Sequence, residues 1–499
     1  MKKTITVLLT FLSLSYSNAQ SLRTRLNSIA ASNDMMGGSL VVFCKNGITE
    51  NISIGKSDFT RNIDVTTDTK YRIASISKAI TAIAVMQLVE RNLLDLDADI
   101  STILGYSVVN PNHPTVAITP RMLLSHTSSI IDGTTYSSFM NATVNDNPIP
   151  NLSEILTVGG SYYTSGQFNN SVPGTYFNYS NINYVILGTI VEKVTNTRFD
   201  IYCKQNISIP LGIDASFNVN DLTDINQLAV IYRKSGGVWN PQVDDYQGVQ
   251  PVFGNLSGYI PGTNGGRFGP QGGFRCSGKD LAKIFLVLMN KGSYNGHTLL
   301  SEASCNAMFA NRWTYNGSNG NNYYGLFRSW GLGIHRITST PRNDIVLPGS
   351  SSMLGHAGEA YGLVSSAYFD TTRRVGFVFI TNGVGVGYQT NSNSSFYTIE
   401  QDVFKAIENY GNILSCTQTV GLNESLREVS WVYPNPTNGL FQVDIPNQYL
   451  LSIKVYNSLG QLIKETSEKQ INLANYPNGA YIVEVKTQEG NYFHKLIKQ

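Results

Sequence analysis

Ser75 and Lys78 stand three residues apart at the head of the run Ser75-Ile-Ser-Lys78-Ala-Ile-Thr-Ala-Ile-Ala-Val-Met-Gln-Leu-Val-Glu90. A helix puts two such side chains on one face, one turn apart. Ile76, Ala79, Ile80, Ile83, Ala84, Met86 and Val89 leave that helix almost no polar side, so it is expected to be buried. Burial makes a charged lysine costly and drives its pKa toward values at which the amine accepts a proton. The serine sits where unpaired N–H groups and the positive helix end favour a developing anion. A hydroxyl beside a base in that setting is an activated nucleophile. The spacing alone is common: Ser53-Ile-Gly-Lys56 repeats it between polar, strand-like segments, where a surface turn explains it.

Two more groupings carry chemistry. Tyr179-Ser-Asn181 lies on the loop between Pro173-Gly174 and a helix expected over 182–195, where a rigid scaffold presents the phenol and the amide. Other Tyr-x-Asn triplets, such as Tyr433-Pro-Asn435 and Tyr476-Pro-Asn478, read as turns. His356-Ala-Gly358-Glu359 leads as a strand into a strand pair over 363–369 and 375–380. Gly358 there lets another backbone or a ligand come close. His126 ends a helix that Thr119 caps and Pro120 opens, and it reads as structural.

The elements that must hold these groups follow from patterning. A hairpin is expected over 38–54, turning at Asn46-Gly47, with further helices after Ser277 and over 395–409. Asn218 to Gly273 is loop-rich and suits a pocket rim. Past Cys416, turn residues and short alternating strands without a helix predict a small separate β-sandwich.

The N-terminus has the basic, apolar and small-residue order of a secretory signal peptide over 1–19. No later stretch is long and apolar enough for a transmembrane segment. A chain of 499 residues favours two domains, and a net charge of +2 offers no basic stripe for nucleic acid. The six histidines form no metal-ligand spacing, and the chemistry needs no cofactor. The five cysteines include no CxxC pair; Cys276 and Cys305 are the candidates for a bridge.

Taken in order, Ser75-x-x-Lys78, Tyr179-x-Asn181 and His356-x-Gly358 resemble the serine β-lactamase and penicillin-recognising family, with its esterase, D-aminopeptidase and DD-peptidase relatives. Leu123-Leu-Ser-His-Thr-Ser128 and Gly272-Gly-Phe-Arg extend the likeness. It implies an α+β fold, an antiparallel sheet flanked by helices plus a mostly helical subdomain, followed by the small all-β sandwich. It implies Ser75 as the nucleophile of an acyl-enzyme, Lys78 and Tyr179 as proton carriers, and Asn181, His356 and Gly358 as substrate contacts. The backbone N–H groups of Ser75 and Glu359 would form the oxyanion hole. Either Lys78 or Tyr179 could be the primary base. Dedicated β-lactamases of the family usually carry lysine where His356 stands, so the esterase and peptidase branches fit better. The alternative is a penicillin-binding or surface binding protein that acylates slowly or not at all.

The C-terminal piece resembles the sorting domain of the type IX secretion system, through Tyr433-Pro-Asn-Pro-Thr-Asn-Gly439, Val455-Tyr-Asn-Ser-Leu-Gly-Gln-Leu-Ile463 and the closing Lys495-Leu-Ile-Lys498. That implies type IX machinery as a partner and release or surface exposure in a Gram-negative bacterium, via the periplasm. The domain layout expected is signal peptide 1–19, hydrolase domain 20–412, linker 413–428 and sorting domain 429–499.

Overall fold

The hairpin at Asn46-Gly47 begins the main sheet: β1 (Gly37–Cys44) turns into β2 (Gly47–Asp58). Seven further strands join them: β3 (Ile63–Asp64), β4 (Trp313–Thr314), β5 (Ser329–Trp330), β6 (His335–Arg336), β7 (Met353–Ala360), β8 (Leu363–Asp370) and β9 (Val375–Thr381). The spatial order is β4-β5-β6-β7-β8-β9-β1-β2-β3, and every pairing is antiparallel. This computed structural model describes residues 22–251, 256, 258–347, 350, 353–410, 431–444, 450–458, 460–487 and 491–499. The signal peptide over 1–19 and the linker over 413–428 lie outside the described residues.

The central strands are buried on both faces, and alternation decides what covers each face. Val41 and Phe43 of β1 face a core shared with α4 (Gly278–Met289), whereas Leu40 and Val42 face one shared with α1 (Leu22–Ser32) and α6 (Thr398–Glu408). On the α4 side lie α2 (Ser77–Glu90) and α3 (Ile182–Thr195), the latter the centre of the helical subdomain, along with α5 (Glu302–Phe309). Among the described residues no helix is long and apolar enough to cross a membrane.

Three expectations change. Ser75 sits in a 3-10 turn, Ala74–Ile76, and the α-helix proper starts at Ser77. The Ser53–Lys56 copy is part of β2, not a surface turn. Cys276 and Cys305 are buried free thiols. Cys276 precedes α4, while the Cys305 thiol packs at Gly292, beyond the far end of the same helix. Twelve helical residues put those ends roughly 18 Å apart, far beyond the Cα span of a disulfide. Among the described residues, Cys44 is disulfide-bonded.

The chain divides into two compact units, Met1–Cys416 and Thr417–Gln499. The second is built of a three-stranded sheet, Trp431–Tyr433, Leu440–Asp444 and Gln470–Asn472, and a four-stranded one, Leu462–Thr466, Leu450–Tyr456, Gly479–Thr487 and Asn491–Lys498. Its core takes every second residue of these strands, Phe441 and Val443, Ile453 and Val455, Val483 and Val485, as the alternating pattern requires.

Candidate active site

Lys78 is fully buried, and its Nζ lies 3.0 Å from Ser75 Oγ, 2.9 Å from Asn181 Oδ1 and 2.8 Å from the carbonyl oxygen of Gln271. Burial pushes the amine down from 10.5 to about 7, against the pull of the Asp132 carboxylate. That drop corresponds to about 5 kcal/mol set against the charged form. Ile76, Ile80 and Ile83, fully buried on the same helical stretch, contribute about 1.5–3 kcal/mol each, so the stretch can tolerate it. The donor count then matters. Asn181 Oδ1 and the Gln271 oxygen can only accept, so they consume two N–H bonds. A neutral amine has two, which leaves its lone pair for the Ser75 hydroxyl.

The turn that carries Ser75 is held tightly. Ala74 adopts φ 47°, a left-handed conformation uncommon outside glycine and the kind of strain that collects at functional sites. Phe274 fastens both sides of it: its carbonyl accepts from Ile73 N–H at 3.0 Å and its N–H donates to Ser77 Oγ at 3.0 Å. Gly358 of β7 packs against the same turn. A methyl group there would stand 2.8 Å from the Ile73 oxygen and 3.1 Å from the Ser75 nitrogen, so only glycine lets strand and turn meet.

The pleat orients Glu359. Met353 O accepts from Ile337 N–H at 2.9 Å, so the Met353 main chain faces β6. With a period of two, Gly355, Ala357 and Glu359 turn their N–H groups to that same side. The β6 pairing stops at Gly355, so Glu359 N–H points past the end of β6, on the side where Gly358 meets the Ser75 turn.

Tyr179 arrives on the loop before α3, pinned from below by His126. His126 O accepts from Asn178 N–H at 2.8 Å, its Nδ1 accepts from Ser180 N–H at 3.1 Å, and its ring lies 4.4 Å from that of Tyr179. Phe327 stacks on Tyr179 at 5.1 Å, with Trp330 and Tyr323 edge-on at 5.9 and 5.8 Å. Lys78 Nζ lies 4.8 Å from the centre of the Tyr179 ring. Burial pushes this phenol well above 10, although the nearby Ser75 side chain draws it back. It is therefore a protonated donor in this arrangement.

His356 is buried, and burial together with the nearby Lys78 pushes its imidazole down to about 3. A contact of 2.5 Å from Nδ1 to the Ala357 oxygen puts the ring proton there and leaves Nε2 a buried acceptor with no partner among the described residues. A neutral ring supplies no fixed cation for a substrate carboxylate.

One residue that sequence reasoning passed over ties the set together. Asp132 accepts from the Asn181 and Ile182 N–H groups at 3.0 and 2.8 Å, capping α3 from outside it, and from Asn181 Nδ2 at 2.8 Å. That last bond fixes the amide so that its oxygen faces Lys78. Asp132 lies 49 residues before Asn181, and nothing local marks it.

Residues 22–392 match the Beta-lactamase family. The chain belongs to the beta-lactamase family. Residues 431–499 match the Secretion system C-terminal sorting domain. Among curated relatives, Protein flp of Staphylococcus aureus (strain MRSA252) is 29% identical over 186 residues, 37% of this chain and 35% of that protein. Penicillin-binding protein 4* of Bacillus subtilis (strain 168) is 28% identical over 162 residues, 32% and 33% of the two chains. The chain spans about a third of the length of these curated relatives. In fold it resembles the octameric penicillin-binding protein homologue from Pyrococcus abyssi, with TM-score 0.58, 18% identity, and 95% and 99% of the two chains covered. It also resembles EstCE1, a hydrolase with promiscuous acyltransferase activity, with TM-score 0.57, 19% identity and 78% and 99% coverage. The D-amino acid amidase from Ochrobactrum anthropi SV3 gives TM-score 0.55, 19% identity and 78% and 98% coverage.

Proposed function

We propose that this protein is an exported serine hydrolase that cleaves an ester, amide or peptide bond through an acyl-enzyme. The observation that carries the reading is the Lys78 nitrogen, whose two obligate acceptors leave its lone pair for Ser75 Oγ at 3.0 Å. Ser75 Oγ attacks the carbonyl carbon and its proton passes to Lys78 as the C–O bond forms. Tyr179, a protonated phenol, gives its own proton to the leaving group and is replenished from Lys78. The Ser75 and Glu359 N–H groups stabilise the tetrahedral oxyanion, and Asn181, His356 and Gly358 shape the substrate site. Water then attacks the acyl ester by the same route in reverse. This division of labour makes Lys78 the first base.

The neutral His356 favours substrates without a carboxylate at that position, and so esters and amides over β-lactams. The sorting domain supports a type IX route from the periplasm to the surface of a Gram-negative cell or beyond it. In this reading residues 1–19 are the leader, 20–412 the catalytic domain, 413–428 the linker and 429–499 the address.

Purified protein assayed with a nitrophenyl ester, D-amino-acid amides and a chromogenic cephalosporin, with Ser75→Ala as control, tests the reading. Steady turnover of the ester or amide that vanishes in Ser75→Ala is expected. A burst without turnover points to the slowly acylating alternative, and cephalosporin hydrolysis far above the rest overturns the substrate preference.

A further inference from the structure

The entrance to the active site carries a charge that the hydrolase chemistry leaves unbalanced. Asp132 is exposed, and its oxygens accept three N–H bonds, two from Asn181 and one from Ile182. A carboxylate accepts about four, so room for one remains. Among the described residues no basic side chain forms an ion pair with it. The α3 end that it caps supplies about half a positive charge. Lys78, on which Asp132 also pulls, is neutral whenever it serves as the base, and His356 is neutral too. About half a negative charge therefore faces the bound substrate.

Aromatic rings surround that carboxylate. Tyr136, four residues on, opens the helix Tyr136–Asn145, and Tyr323 lies edge-on to Tyr179 at 5.8 Å. Burial raises the phenols of Tyr136, Tyr179 and Tyr323, and the Asp132 carboxylate raises each further, which makes it their common neighbour. Glu359, the other acid acting on Tyr323, is taken up by the Tyr397 hydroxyl and faced by Arg233. Tyr323 is held there at a cost. Tyr323, Tyr324 and Gly325 take φ 49°, 57° and 96°, three left-handed residues in succession, and two of them are bulky. Each bulky one costs on the order of 1–3 kcal/mol, and such strain persists at ligand clamps and active sites. It leaves Tyr323 41% exposed beside the catalytic phenol instead of in a core.

An open carboxylate among rings suits one kind of group. An organic ammonium brings a charge for the acid and an alkyl surface for the ring faces. A calcium or magnesium ion needs about six oxygens, and a single open position cannot hold it. Tyr179 gives its proton to the leaving group, so Tyr323 beside it lies on the leaving-group side.

We propose, on the hydrolase reading above, that Asp132, Tyr136 and Tyr323 hold an organic ammonium group, and that the substrate is an ester or amide carrying one on its leaving group.

Choline and 3,3-dimethylbutan-1-ol share a shape and differ in charge, as do acetylcholine and 3,3-dimethylbutyl acetate. The first pair is compared by titration calorimetry of the full chain and the second by initial rates, both in low salt at about pH 8, where Lys78 is mostly neutral. Choline is expected to bind at least ~10-fold more tightly than the alcohol, and acetylcholine to show a kcat/KM at least ~10-fold above its isostere. Asp132→Asn should bring both ratios to within about threefold. A ratio of two ligands on one protein is unmoved by a general loss of activity or of α3 capping. Tyr323→Ala should weaken choline about 5-fold and Tyr323→Phe restore it, which decides the matter should Asp132→Asn fail to fold. Choline no tighter than the alcohol overturns the proposal, as does its failure to bind up to about 10 mM or a ratio that survives both Asp132→Asn and Tyr323→Ala. Acetylcholine hydrolysed no better than its isostere overturns the substrate class. Choline binding without Ser75-dependent hydrolysis of any ester upholds the cation site and refutes the hydrolase reading instead.

Discussion

The chain holds the same four-residue pattern twice, and the two copies have nothing in common structurally. Three residues along the helical stretch from Ser75 to Lys78 bring hydroxyl and amine to 3.0 Å on one buried face. On β2 the left-handed Gly55, φ 76°, separates Ser53 from Lys56, whose Nζ reaches the Asn62 carbonyl oxygen at 3.5 Å instead of the serine. Lys56 keeps a third of its side chain in solvent and pairs with Asp64 at 2.5 Å. Ser53 Oγ has no partner among the described residues. A short motif has chemical meaning only through the period of the element that carries it and the dielectric around it.

Substitutions can break that comparison at either copy. Ser75→Ala is expected to lower ester hydrolysis by on the order of 10^4-fold or more, and Ser53→Ala to leave it within about twofold. Equal losses at both positions would remove the distinction. Lys78→Met should cost about 10^3-fold in kcat, and Lys56→Met within about twofold, by the same initial-rate assay. Gly358→Ala tests the contact that the β2 copy lacks. Its methyl, 3.1 Å from the Ser75 nitrogen, should push the turn away and cost about 100-fold in kcat, with a lower Tm in calorimetry.

The smallest effect is the most diagnostic. The wild-type rate should rise with pH through about 7, as Lys78 loses its proton. The Asp132 carboxylate favours the charged amine, so Asp132→Asn should shift that limb to lower pH while costing about 10-fold in kcat. A limb that stays in place would show that Asp132 merely caps α3.

Much of this arrangement was legible in the chain. The Ser75 helix betrayed its burial by lacking a polar side, α3 runs over Ile182–Thr195 as its pattern required, and β8 and β9 followed from alternation. Asp132 was invisible because its partners are main-chain N–H groups and one amide far along the chain, and a carboxylate on a loop looks like any solvated acid. Gln271 escaped because its part is played by a carbonyl oxygen that every residue has. Cys276 and Cys305 misled because a place before a helix fixes no distance between two thiols: Cys276 does precede α4, but Cys305 lies within α5 and packs at Gly292, beyond the far end of α4. The aromatic wall of Tyr323, Phe327 and Trp330 comes from a stretch with no marked periodicity, brought to Tyr179 by the short strands at the sheet edge.

Three separate stretches of chain converge on the single nitrogen of Lys78: its own helix, the loop before α3 and the segment ending in Gln271. The reactive atom is thus also a rivet between the sheet's neighbour and the inserted subdomain. A descendant that abandoned catalysis could discard Ser75 freely, yet it would still need some donor at position 78 to keep those two oxygens from being stranded. Arginine or glutamine there, beside a missing serine, would be the signature of a retired enzyme whose scaffold is still in service.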